Sequence, residues 1–231
     1  MRAILRRCLF ALLAVVIAVL ALPYLVAPLY RFVQPVSMPM LWRFATGRTV
    51  QRVFVPVGQI SPSLPISVIA AEDGSFCHNR GIDLGAMREA MAQADDNLGV
   101  ARGGSTITQQ TAKNLFLWSG RSFVRKALEV PLALWLNIVL PKRRVIEIYL
   151  NIVQWGPNGE FGAEAASRWA FGKSARDVNA REAAELAAIL PNPARRSAKT
   201  PTTLVKRLAA LYEQRTERFP GLDACVRGRV P

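Results

Sequence analysis

The sequence is poor in histidine, cysteine and acidic residues. Its 1 His and 3 Cys are not arranged as a Cys/His zinc framework, since such a site needs about four ligands at a fixed spacing. Its 15 Gly and 15 Pro in 231 residues exclude a collagen-like or Pro-rich chain. The 51% share of hydrophobic residues excludes a disordered chain. The length suits one soluble domain and one membrane segment, because single domains run to about 100–200 residues.

The acidic residues are also outnumbered by basic ones. There are 16 Asp and Glu against 30 Lys and Arg, which gives a net charge of +14. Such an excess fits nucleic acid, a membrane surface or an anionic substrate as the partner. The N-terminus helps to decide between them, because it combines a basic start with a long apolar run.

Three arginines, Arg2, Arg6 and Arg7, precede residues 8–30, a run of 23 residues without a charge. A helix needs about 20 residues to cross a bilayer core, so this run is long enough. A cleaved signal peptide is the alternative, but its apolar core would be about 7–15 residues long, with a small-residue cleavage site after it. We therefore expect residues 1–30 to form a basic cytoplasmic flank and an uncleaved anchor. The positive-inside rule then places everything after about Arg31 outside the cytoplasm, which argues against nucleic acid as a partner.

The rest of the chain predicts a connector and one mainly α domain. Residues 31–58 read as a connector with one extended segment, and residues 59–231 as a helical domain with a C-terminal tail. A first helix contains Ile66, Ile69 and Ala70 and ends near Glu72. Apolar periodicity and capping signals predict further helices over residues 84–94, 106–117, 122–140, 145–153, 163–170, 180–190 and 203–219.

Glu72 is a candidate general base. It ends an apolar helix just before Gly74, so both burial and the negative end of the helix dipole would raise its pKa. A raised pKa suits proton transfer near neutral pH. The alternative is an exposed Glu-Asp pair that only ends a helix.

Residues 102–144 are strongly basic and contain a single acid, Glu129. Phosphate oxygens are the ligands that such an excess of Arg and Lys fits best. On a helix, Glu129 would share one side with Arg125 and Lys126, so a simple intrahelical salt bridge is the alternative. The eight cations of this stretch are Arg102, Lys113, Arg121, Arg125, Lys126, Lys142, Arg143 and Arg144.

A Gly pair at positions 103 and 104 precedes a predicted helix that begins near Ser105. Backbone can approach a ligand closely at such a pair, and a helix N-terminus favours an anion. Thr106 and Gln109 also fit a capping box, so part of the pattern is explained by a helix start.

The order of these features resembles the five motifs of the peptidoglycan glycosyltransferases, glycosyltransferase family 51. The resemblance covers about residues 60–195, and the single anchor with one domain is similar to the monofunctional members. The matching motifs are Glu72-Asp73 with Phe76 and Gly81, residues 104–110, residues 125–129, residues 142–151, and residues 159–162 with Phe171-Gly172.

The resemblance implies a mainly α fold, with a lysozyme-like larger lobe and a small membrane-proximal lobe after the transmembrane helix. The implied reaction polymerises lipid II into glycan strands on the periplasmic side of the cell inner membrane. The donor is a glycan chain on undecaprenyl pyrophosphate, which is transferred with inversion to the GlcNAc 4-hydroxyl of lipid II. Penicillin-binding or division proteins are further partners by resemblance, and nothing in the sequence selects one.

The resemblance also assigns roles to residues. Glu72 is the catalytic base, and Glu129 is a second acid on the side of the donor pyrophosphate. No cofactor is essential, and two roles stay open for Glu129: holding a divalent cation (Mg²⁺ or Mn²⁺), or orienting neighbouring cations. The expected substrate-binding residues are Ser105, Gln109, Lys113, Arg121, Arg125 and Lys126.

The sequence departs from the family pattern at Asn79, where a His is usual two positions before Gly81, and His78 lies one place earlier. This puts the ordering of the loop in question, although not the base. With the expected topology, Cys77 and Cys225 face an oxidising compartment, so a disulfide between them is a hypothesis. A lysozyme-like muramidase and a non-catalytic scaffold for wall synthesis are the competing functions.

Overall fold

The first element of the protein is a long apolar helix. The structure is a computed structural model that describes residues 2–95, 104–120 and 122–228. Helix α1 (Arg2–Val26) continues into a 3-10 turn (Ala27–Arg31). Within the described residues it is the one helix long and apolar enough to cross a membrane: the span Ile4–Arg31 has a mean hydropathy of 2.8, and its most apolar part is not buried against the protein. The helix therefore fits the predicted membrane anchor.

The described part of the chain then forms ten further α-helices and two short strands. The mainly α class is confirmed, and the largest boundary difference is at α7, which begins at Lys142 because Pro141 forms its N-cap. The elements are α2 (Met38–Ala45), β1 (Gln51–Arg52), α3 (Ser63–Glu72), α4 (Leu84–Asp95), α5 (Ile107–Phe116), α6 (Phe123–Val139), α7 (Lys142–Ile152), β2 (Glu160–Phe161), α8 (Ala163–Phe171), α9 (Ala180–Ile189), α10 (Thr203–Arg218) and α11 (Ala224–Arg227).

Residues 31–58 are packed against the domain. They contain α2, which the sequence did not predict, and β1, which pairs in parallel with β2. The Gln51 amide also donates to the Gly159 carbonyl at 2.8 Å. Gly159 has a φ of +98°, and a Cβ at this position would lie 2.2 Å from the Thr49 carbonyl oxygen. Only glycine fits there, so the turn before β2 holds the segment that follows α2.

Helix α3 lies at the centre of the domain. It is apolar on all sides, and residues 64–70 are all buried. A helix of this kind must be enclosed by other elements. Its neighbours are α9 and α10, while α5 packs against α6 and α7 on the other side of the core. The C-terminal end of α3 is thereby brought next to the N-terminal half of α5.

The membrane anchor is joined rigidly to the domain. The indole N–H of Trp135 on α6 donates to the Tyr24 carbonyl at 2.9 Å. Arg144 on α7 donates to the carbonyls of Tyr30 (2.8 Å) and Val33 (2.7 Å). The ring of Tyr30 also stacks on Phe116 of α5, with 5.8 Å between centroids. Three helices of the domain therefore fix the direction in which the anchor leaves it.

The C-terminal tail is tied to the loop that follows α3. Cys77 in this loop and Cys225 in α11 form a disulfide, with 5.5 Å between their Cα atoms. Arg143 of α7 donates to the Val226 carbonyl at 2.8 Å, so α11 is also held by a hydrogen bond. Cys8 is a free cysteine in α1.

The disulfide predicts a simple labelling pattern. The protein is denatured without reductant and exposed to a maleimide, and one thiol per chain, that of Cys8, is expected to react. After reduction all three cysteines should react, because the cross-link has opened. Mass spectrometry counts the labels. The variant Cys8→Ser is the control and should take no label before reduction; three labels on the unreduced wild type would contradict the cross-link.

Candidate active site

A large cleft opens at the C-terminal end of α3. It encloses about 850 Å³, and Glu72, Asp73 and Ser105 lie on one side of it. The other side is formed by α10 and the residues after it, including Leu211, Arg215 and Phe219.

Glu72 is held in this cleft by a chain of hydrogen bonds. The amide of Gln110 on α5 donates to Glu72 Oε2 at 2.7 Å. The carbonyl oxygen of the same amide accepts from the Tyr149 hydroxyl of α7 at 3.0 Å. Tyr149 is fully buried, and burial raises its pKa well above the ordinary value, so the phenol stays a neutral donor. The chain fixes the orientation of Gln110, which in turn fixes that of the carboxylate.

Two opposing effects set the pKa of Glu72. Burial is the larger and raises the pKa above its ordinary value. The hydrogen bond from Gln110 and the positive charges of Lys113 and Arg196 act in the other direction. The net direction is upward, which makes Glu72 a stronger base than an exposed glutamate.

Asp73, next to Glu72, has a different task. It is buried, and its Oδ2 accepts from the main-chain N–H of Ile107, the first residue of α5, at 3.0 Å. Asn79 donates to the same carboxylate at 2.9 and 3.1 Å. Asn79 therefore orders the loop after α3, which answers the question raised by the absence of the usual His.

A second group of charges lies on α6. Glu129 is 2% exposed, and its two oxygens accept from Arg125 Nη1 (2.5 Å) and Lys126 Nζ (2.6 Å). Lys126 also donates to Ser105 Oγ at 2.8 Å. The intrahelical salt bridge considered from the sequence is thus present. It is buried, and Lys126 connects it to the edge of the large cleft.

Lys113 lies between the two carboxylates. Burial lowers the pKa of its ammonium, and the negative charges of Glu129 and Glu72 oppose that shift. Lys113 and Arg125 also line a smaller cavity of about 370 Å³, together with Trp118. The site therefore has an acid in a large cleft and cations around a smaller one, with Lys113 electrostatically coupled to both.

The two predicted roles of Glu129 can be compared with its contacts. Both oxygens of Glu129 accept a hydrogen bond from a cation, which fits the role of orienting the neighbouring cations. Among the residues that the structure describes, no three His, Cys, Asp or Glu side chains are grouped to bind a metal ion.

The structure brings most of the predicted site residues together. Glu72 and Ser105 line the large cleft, and Lys113, Arg125, Lys126 and Glu129 form the charged group beside it. Arg121 lies outside the described residues.

Gln109 is a correction. It is fully buried, and its side chain accepts from the Thr106 N–H at 2.9 Å as part of the capping box. It cannot face the cleft, and Gln110 is the residue that contacts Glu72. The signal for this was present in the sequence, because a capping residue at the third helical position turns its side chain back to the backbone.

Three cations of the basic stretch serve the fold instead of an anion site. Lys142 donates to Asn79 Oδ1 at 2.9 Å. Arg143 holds α11, and Arg144 holds the segment that follows the anchor. Sequence reasoning missed Arg196 as a neighbour of Glu72, since the two residues are far apart in the chain.

Comparison with known proteins identifies the family of the chain. The family model described as Transglycosylase matches residues 40–216. A biosynthetic peptidoglycan transglycosylase of Rhodopseudomonas palustris (strain TIE-1) is 57% identical over 222 residues, which cover 96% of this chain and 93% of the relative. Proteins of the same name from Nitrobacter hamburgensis and Agrobacterium fabrum are 54% and 46% identical, over 96% and 91% of this chain and 97% and 93% of the relatives. The resemblance given by the motifs is thereby confirmed, and the chain belongs to the transglycosylase family of enzymes.

Proposed function

We propose that the protein polymerises lipid II into glycan strands at the outer face of the cell inner membrane. The acceptor's GlcNAc 4-hydroxyl attacks the anomeric carbon of a glycan chain linked to undecaprenyl pyrophosphate, and the transfer inverts that carbon. The observation that carries the proposal is the position of Glu72, a partly desolvated carboxylate in a large cleft, beside a separate group of cations.

Glu72 acts as the general base in this proposal. It removes the proton of the attacking hydroxyl, which requires the carboxylate form. Its raised pKa makes it a stronger base than an exposed glutamate, and Gln110 keeps one oxygen oriented while the other accepts the proton. The cleft of about 850 Å³ gives room for sugar next to this carboxylate.

The cations stabilise the leaving pyrophosphate. Lys113 and Arg125 line the smaller cavity, and Lys126 shares Glu129 with Arg125. Phosphate oxygens suit all three cations. Glu129 is fully paired, so it holds Arg125 and Lys126 in place instead of donating a proton. Pyrophosphate is already a good leaving group, and preorganised positive charge is the main help that it needs.

The anchor places this site next to the lipid. The basic N-terminal end of α1 belongs in the cytoplasm, which puts the domain on the periplasmic side. Aromatic side chains outside the anchor, such as Trp42 (67% exposed) and Phe123 (97% exposed), fit contact with the membrane surface. A freely diffusing muramidase would need neither the anchor nor the cations.

The first test is polymerisation of purified lipid II by the full-length protein in detergent. Glu72→Gln removes the base and keeps the shape, so the rate should fall by about 10²- to 10⁴-fold. Gel-resolved product that a muramidase digests identifies polymer. Glu217→Gln, on the exposed surface of α10, is the matched control and should keep the wild-type rate. Polymer from Glu72→Gln at the wild-type rate would rule out this base.

The pH dependence separates Gln110 from Gln109. Since the base must be ionised, kcat/KM rises with pH through the pKa of Glu72. The hydrogen bond from Gln110 lowers this pKa, so Gln110→Met should move the acid limb to higher pH. Gln109→Met should lower the melting temperature, because it removes the cap, and leave the limb in place. If the acid limb of the pH profile moved in Gln109→Met and not in Gln110→Met, Gln109 would be the residue that contacts Glu72.

Glu129→Gln tests the charged group on α6. Removing one partner of a buried ion pair costs about 3–5 kcal/mol, so the melting temperature should fall. The polymerisation rate should also fall, since Arg125 and Lys126 lose the carboxylate that orients them. Glu147→Gln is the control: it breaks a similar pair with Arg144 on α7 and should lose stability but keep kcat. Unchanged kcat in Glu129→Gln would contradict the role given to the group.

A further inference from the structure

The loop between α3 and α4 contains a side chain that no part of the proposed chemistry uses. Asn79 donates through Nδ2 to both oxygens of Asp73, at 2.9 and 3.1 Å. Its Oδ1 accepts from the Gly81 N–H at 3.0 Å and from Lys142 Nζ at 2.9 Å. One amide thus joins a buried carboxylate, a turn of the loop and the first residue of α7.

The carboxylate that Asn79 holds is joined to α5. Asp73 Oδ2 accepts from the N–H of Ile107, and the neighbouring Thr106 hydroxyl donates to the Gly81 carbonyl at 2.6 Å. A negative charge at a helix N-terminus is stabilised by the unpaired N–H groups there. Asp73 and Gly81 therefore fix the start of the helix that carries Gln110 and Lys113.

The lysine on the other side of Asn79 is joined to α7. Lys142 lies over the ring of Phe76, with Nζ 4.8 Å from the centroid. Burial lowers the pKa of Lys142 to about 8, and the charge of Asp73 opposes this shift. Helix α7 also carries Tyr149, which orients Gln110. The Asn79 amide thus adds a connection between the two helices, which also pack against each other and share the Tyr149–Gln110 hydrogen bond.

We propose that Asn79 is a positioning residue for glycosyl transfer, because it couples α7 to the N-terminus of α5 and so fixes Gln110 and Lys113 relative to Glu72. This rests on the proposed function only for its effect on rate. The coupling itself is a property of the free protein.

An amide suits this position better than an imidazole. The amide offers donor N–H groups and a carbonyl oxygen with two lone pairs, and it stays neutral at every pH. A neutral imidazole has one donor and one acceptor nitrogen with a single lone pair, and a charged imidazole has no acceptor. A histidine could hold Asp73, but it could not accept from both Gly81 and Lys142.

The test compares Asn79→Ala and Asn79→His with the wild type by hydrogen exchange and by kinetics. In Asn79→Ala the amide of Ile107 should exchange about tenfold faster or more, since the start of α5 opens locally. A small misplacement of catalytic groups should lower kcat by about 10- to 100-fold with KM little changed. Asn79→His should lie between the two. Asn158→Ala is the control, because it removes a side-chain hydrogen bond from Asn158 to Glu160 away from the site. It should leave the Ile107 exchange rate unchanged.

Asn79→Asp decides the matter if Asn79→Ala does not fold. The introduced carboxylate would face that of Asp73, and its other polar neighbours would be Ser75 and Lys142. Two further acids are near: Glu72 precedes Asp73 in the chain, and Asp83 accepts from Ser75. Two carboxylates this close share a proton. The shared proton replaces the amide donor at low pH, so the activity of Asn79→Asp relative to the wild type should rise as the pH falls.

Three results would overturn the inference: wild-type kcat in Asn79→Ala, a lowered kcat with unchanged Ile107 exchange, or a pH-independent ratio for Asn79→Asp. If the wild type makes no polymer, the proposed function fails, and the exchange of Ile107 in Asn79→Ala still decides whether the coupling exists.

Discussion

The structure depends on keeping one carboxylate at the end of an apolar helix. Helix α3 is enclosed on all sides, and its last residue, Glu72, is where the enclosure opens into a cleft. Burial at that point raises the pKa, and the Gln110 amide with the charges of Lys113 and Arg196 limits the rise. Too little burial would leave a weak base, and too much would keep it protonated at neutral pH. The packing of α5, α9 and α10 sets this balance.

A second requirement is that the cations stay near this acid without neutralising it. Arg125 and Lys126 are each bonded to Glu129, a carboxylate that they share on α6. Within the described part of the chain, Glu72 has no cation at salt-bridge distance, and its direct partner is the neutral amide of Gln110. A second carboxylate therefore keeps the cations in place, while a neutral donor orients the base. In the proposed function, this division gives Glu72 and Glu129 separate tasks.

The sequence predicts the helices well because their signals are local. A capping box marks the start of two helices: Thr106 with Gln109 for α5, and Asn179 with Glu182 for α9. The sequence does not predict the contacts between residues that are far apart in the chain. Lys142–Arg144 look like part of an anion site, yet their partners are Asn79, Val226 and Tyr30, which lie 63 to 114 positions away. The error between Gln109 and Gln110 is of another kind: adjacent residues on a helix point about 100° apart, and a capping side chain cannot also line a cleft.

The attachment of the anchor to the domain bears on what the two cavities can bind. Trp135 and Arg144 fasten the end of the anchor to α6 and α7, so the domain cannot turn freely about a linker. The smaller cavity is lined by Pro39 of α2, by Trp118, and by the cations Lys113 and Arg125. Exposed apolar side chains beside cations suit the junction of a lipid with its pyrophosphate, whereas the larger cleft with Glu72 has the room that sugars need. In the proposed function, an anchor held by these hydrogen bonds would let one binding event place both ends of such a substrate.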